Sequence, residues 1–111
     1  MAYEPEWITD TGPSKLNELQ PEMFRKFLEF EDAVYHRGKI PAKYKELMAV
    51  GITHVTQCEA CMAYHTHNAK LAGATDEEIA EAAFVAMELR AGAAMAHFRA
   101  SARVLGKHNH D

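Results

Sequence analysis

From Pro21 to Leu105 the apolar residues recur at helical intervals, and no alternating apolar–polar run of useful length appears anywhere in the chain. Positions i, i+3 and i+4 share a face at 3.6 residues per turn, whereas a strand repeats every second residue. The pattern therefore predicts an all-α fold: a compact domain of four to five main helices. At 111 residues this is one domain by length, able to bury a modest core of its own.

The punctuation divides the chain. Residues 1–20 hold Pro5, Gly12 and Pro13 among scattered polar residues and lack sustained periodicity, which predicts an N-terminal arm tied down by Trp7 and Ile8. The helical domain is expected over 21–106. Pro21 suits a first helical position with Glu22 in the first turn, followed by Met23, Phe24, Phe27, Leu28 and Val34, with Gly38 as a stop. A second helix opens at Pro41 with Tyr44, Leu47, Met48, Gly51 and Val55 on its apolar stripe, and a third starts at Gln57–Cys58 and ends at Gly73. Thr75-Asp76-Glu77-Glu78 is a capping box, in which Thr75 and Glu78 satisfy each other's free backbone N–H. It opens a fourth helix bearing Ile79, Ala82, Ala83, Ala86 and Met87. Gly92 predicts a bend or break before Met95, Phe98, Ala102 and Leu105; Gly106 predicts the stop, and 107–111 a frayed polar tail. The alanines from Ala80 to Ala102 let helices approach closely but bury little area each, so an oligomer is expected to cover part of that face.

Bulk properties exclude several classes. A formal net charge of −4 with no basic run gives no reason to expect nucleic acid as a partner. The start, MAYEPEWITD, lacks the basic and apolar regions of a signal peptide, and no stretch reaches the roughly 18 apolar residues of a membrane span. A cytoplasmic location without membrane association is the expectation.

The chain's two cysteines, Cys58 and Cys61, are three residues apart. A disulfide stabilises most when it closes a long loop, and this pair closes almost none, so redox chemistry or metal is favoured over a staple. On a helix from Cys58 onward, Cys58, Cys61 and His65 share one face. Cys58 would sit at the helix N-terminus, where free N–H groups and the dipole favour a thiolate. His65 is placed to accept the Cys61 proton, and the other thiol can resolve the first oxidation product. Glu46, flanked by apolar Leu47 and Met48 twelve residues before Cys58, is the candidate to orient and charge-stabilise the imidazole. His54, Tyr64 and His67 read as surface or packing residues.

Zinc is the competing chemistry. His54, Cys58, Cys61 and His65 give H-x3-C-x2-C-x3-H, which would make the chain a zinc-binding structural or regulatory module. Four ligands at continuous helical spacing form a row, however, and a row encloses a tetrahedral ion poorly. Haem attachment is excluded because Met62, not His, follows the second Cys, and no flavin or nicotinamide fingerprint is present, so no cofactor is expected.

Glu46, Cys58-Glu59-Ala60-Cys61 and His65 resemble the E-x11-C-x2-C-x3-H signature of the AhpD-like alkylhydroperoxidases, within the carboxymuconolactone decarboxylase family. The resemblance covers about residues 20–106, through Gly73-Ala74-Thr75 and the alanine-rich end. It implies an all-helical homotrimer or homohexamer that reduces hydroperoxides or disulfides through its thiols and is recycled by a dithiol protein or small thiol. It further implies that Cys61 is activated by His65 and Glu46 while Cys58 exchanges with the reductant. Some members carry a histidine between the cysteines; here Glu59-Ala60 stands there. Without that histidine, and with Glu59 opposing a Cys58 thiolate, disulfide reduction is favoured over peroxide reduction. Lactone decarboxylation is the remaining alternative; members with that activity lack the cysteine pair.

Overall fold

The computed structural model describes residues 3–108. Among them are one 3₁₀ turn, Glu6–Thr9, and five α-helices: α1 Thr11–Leu19, α2 Pro21–His36, α3 Ala42–Thr56, α4 Glu59–Leu71 and α5 Asp76–His108. The all-α expectation holds.

The arm is more ordered than its sequence suggested. Pro13 falls in the first turn of α1, where backbone N–H groups have no intrahelical partner, so its missing N–H costs nothing. Trp7 does tie the arm down, packing edge-on against Phe24 and Phe27 of α2 at 5.8 and 6.1 Å. The end of α2 is in turn clamped to α3, because Lys45 Nζ donates to the carbonyls of Val34 and Arg37.

Two turns place the site. Gln57 adopts the left-handed conformation (φ 61°) and donates to the Thr53 carbonyl at 2.8 Å, ending α3 in one residue. Cys58 then caps α4, which folds back along α3. At the far end, Gly73 (φ 100°) supplies the left-handed residue of a Schellman turn. Its N–H bonds Lys70 O at 3.0 Å, and Ala74 N–H bonds Ala69 O at 2.9 Å. Ala69 and Ala74 are both buried, so this turn seats α4 on the core of Val50, Ala69 and Ala74, which Leu47, Ile79 and Ala82 border.

The capping box forms as expected, with Thr75 N–H on Glu78 Oε1 at 2.8 Å and Glu78 N–H on Thr75 Oγ1 at 3.1 Å. Glu78 is held below the usual carboxylate range by that backbone N–H and by Lys43, 2.9 Å away on α3. Gly51 lets α3 meet α5: a Cβ there would lie 3.2 Å from the Ala82 carbonyl oxygen.

Helix α5 departs from expectation. It runs without interruption through Gly92 and Gly106 to His108. One helical glycine costs about 1 kcal/mol, which its helix-forming neighbours absorb. Of the expected polar tail, 107 and 108 continue the helix and 109–111 lie outside the described residues, as do residues 1 and 2 of the arm. Thirty-three residues span about 50 Å, and from Met87 to Gly106 every residue is exposed save Gly92, which is half-buried. The radius of gyration is therefore 19.7 Å, against about 13 Å for a compact chain of 100 residues. A tight helical body carries a projecting arm.

Candidate active site

The α3–α4 hairpin assembles the residues singled out by the sequence. Cys58 and Cys61 are half-buried at the start of α4 and joined by a disulfide. Cys58 Sγ accepts the Cys61 backbone N–H at 3.3 Å, so a sulfur occupies the N-cap position where a helix favours negative charge. His65 follows Cys61 by four residues on the same face of α4.

Glu46 points inward. It is 5% exposed, and its Oε1 lies 2.7 Å from His65 Nδ1. With Nδ1–H donated to this carboxylate, Nε2 is the ring nitrogen left to take a proton. Such a bond fixes both the tautomer and the ring plane, and its length is typical of a charge-assisted pair. The side chains are 13% and 6% exposed, so water screens the pair little.

Three tyrosines complete the surroundings, and the sequence reading assigned a role to none of them. Tyr35 of α2 stacks on the His65 ring at 5.2 Å and 28°, and Tyr64 meets it edge-on at 5.0 Å. Tyr3 of the arm reaches the Tyr64 hydroxyl at 3.4 Å. Burial raises the Tyr35 hydroxyl above its ordinary value, and the nearby Glu46 and Glu31 add to the rise, so it stays protonated. A cleft of ≈ 410 Å³ lined by Tyr3, His36, Glu46, Tyr64, His67 and Asn68 gives the Glu46 side of the pair access to the surface. The signal for Tyr35 was present: positions 24, 28, 31 and 35 continue one stripe of α2, and Tyr35 lies at its end.

The residues of the zinc alternative are otherwise engaged. His54 Nδ1–H donates to the Val50 carbonyl at 2.8 Å within its own helix, and His65 Nδ1 belongs to Glu46. Among the described residues no group of three or more His, Cys, Asp or Glu is placed to hold a metal ion. Nor is any described helix long and apolar enough to cross a membrane.

The model of the carboxymuconolactone decarboxylase family matches residues 21–103. Over 79 residues, 71% of each chain, the sequence is 44% identical to uncharacterized protein 4 in the cox locus of Paracoccus denitrificans. It is 32% identical over 77 residues to an uncharacterized protein of Cupriavidus necator, covering 69% of this chain and 68% of that one. Among solved structures, a protein of Methanobacterium thermoautotrophicum superposes with a TM-score of 0.73 at 38% identity, covering 80% of this chain and 97% of its own. A protein of Thermotoga maritima superposes with a TM-score of 0.59 at 31% identity, covering 86% and 90%.

Proposed function

The chain belongs to the carboxymuconolactone decarboxylase family, and from that premise we propose that it is a thiol-dependent oxidoreductase of the AhpD-like kind. It cycles Cys58 and Cys61 between dithiol and disulfide to reduce hydroperoxides or disulfides. One observation carries this reading: a buried carboxylate–imidazole pair, Glu46–His65, sits one helical turn from a cysteine already paired with its neighbour.

The chemistry balances without a resident cofactor. His65 Nε2 takes the thiol proton, leaving a thiolate and an imidazolium that Glu46 stabilises. The thiolate attacks the outer oxygen of a hydroperoxide, the O–O bond breaks, and the departing alkoxide takes the imidazolium proton to become an alcohol. The second thiol displaces water from the resulting sulfenic acid and closes the Cys58–Cys61 bond. With a disulfide substrate the thiolate forms a mixed disulfide, which the second thiol resolves, releasing the reduced substrate. An external dithiol or small thiol then supplies two electrons and two protons to reopen the pair. Cys61 as the activated thiol and Cys58 as the exchanging one fits the i, i+4 spacing of Cys61 and His65.

The working form is proposed to be a homotrimer or homohexamer, because an exposed apolar run along α5, including Phe84, Val85, Leu89, Met95 and Phe98, wants a cover that one chain does not provide. The functional test is substitution of the sulfurs. Cys61→Ser should abolish thiol-dependent turnover of peroxide and disulfide alike. Lactone decarboxylation surviving in a Cys58→Ala, Cys61→Ala double variant would assign the family's other activity instead.

A further inference from the structure

Glu31 lies one turn before Tyr35 on α2, on the face that brings Tyr35 onto the His65 ring. The chemistry above leaves it unused. Its Oε1 is buried and has no hydrogen-bond partner among the described residues, a costly state for a carboxyl oxygen. Groups on three other elements act on its charge: Tyr3 and Trp7 from the arm, Glu46 from α3 and His65 from α4. Tyr35 joins them from its own helix, and Tyr64 of α4 touches Tyr3. Burial pushes the Glu31 carboxyl above its usual range. Tyr3, Trp7 and the charge on His65 pull the other way, and Glu46 adds to the rise. Of the two ionisable partners across the site, Glu46 opposes a charge on Glu31 and His65 favours it.

We propose that Glu31 is a positioning residue of this site, a second carboxylate that favours the imidazolium His65 becomes when the thiol hands over its proton. The proposal rests on His65 acting as the thiol's base. The linkage is reciprocal: a charge on Glu31 favours a charge on His65, and the reverse. Its sign follows. As pH rises through the Glu31 ionisation, the new negative charge strengthens the hold of His65 on its proton; below that ionisation the support is absent.

The oxidised protein separates this linkage from the thiol chemistry, because in it neither sulfur titrates. His65 ring resonances, identified by their loss in His65→Gln, would be followed by NMR across pH. Glu31→Gln should move the midpoint of the His65 titration to lower pH. Gln keeps the shape but carries no charge, so a purely structural role would leave the curve where it was. Superimposable curves overturn the proposal. Should the variant not fold, the unmodified protein answers the same question: the Glu31 side-chain carboxyl carbon and the His65 ring should share an inflection, and independent inflections overturn it. An unlinked titration in a protein that does turn over peroxide or disulfide sinks Glu31 alone. A linked titration in a protein with no such turnover sinks the thiol reading, and this role for Glu31 with it.

Discussion

The α3–α4 hairpin and the outer half of α5 invert each other's surface rules. In the hairpin a carboxylate and an imidazole are almost fully covered, walled by aromatic rings and tied to each other at 2.7 Å. Along outer α5 the large apolar side chains face outward, with Met95 75% exposed and Phe98 58% exposed. Burying charge costs several kcal/mol per ion unless the partners are exact in geometry, and exposing apolar area forgoes about 25 cal/mol per Å². One region bears the cost of covering two ionisable groups, while the other leaves apolar area in water.

Substitutions can break that contrast from either side. The largest effect is expected at the hairpin. His65→Gln removes the base and should slow thiol-dependent turnover by about 10²–10⁴-fold, read from initial rates with peroxide and with disulfide. The pair Met95→Glu and Phe98→Glu places two charges on the outward face of α5. It should weaken self-association by roughly 2–4 kcal/mol in sedimentation equilibrium, while the helix content seen by circular dichroism stays as it was. If mass and helicity are both unmoved, outer α5 is not an assembly surface. Glu46→Ala leaves the buried Nδ1–H of His65 without its partner and should destabilise the fold by about 1–3 kcal/mol in urea titration.

Most of the architecture was legible because helices announce their ends locally. Pro21, the Thr75–Glu78 box and Gly73 each act through a few neighbouring residues, and so does the spacing that sets Cys58, Cys61 and His65 on one face; that Glu46 turns inward to His65 from the preceding helix was not legible there. What stayed hidden depends on how helices dock. Tyr35 and Glu31 join the site because Trp7 and Lys45 seat α2 against the arm and α3, a tertiary fact that periodicity does not carry. Glu31 nevertheless left a mark, as a carboxylate on an otherwise apolar stripe. The uninterrupted α5 was hidden for the opposite reason: Gly92 reads as a break, yet its cost is small beside the many helix formers around it.

A milder substitution sharpens the comparison at the turn that seats α4. Gly73→Ala forces a left-handed conformation on a residue with a Cβ and should cost about 1–2 kcal/mol, measured by thermal unfolding. The site residues would keep their identity but lose part of their support. Turnover should then fall only as the folded fraction does.

The central claim, that Cys58 and Cys61 exchange electrons as a pair under the influence of His65 and Glu46, is tested most directly by counting thiols. The protein would be reduced, freed of reductant, and titrated for free thiols before and after one equivalent of an organic hydroperoxide or a small disulfide. Both thiols of each chain should disappear together without cross-linking chains, and added dithiol should restore them. A thiol count unchanged by either oxidant would contradict the account.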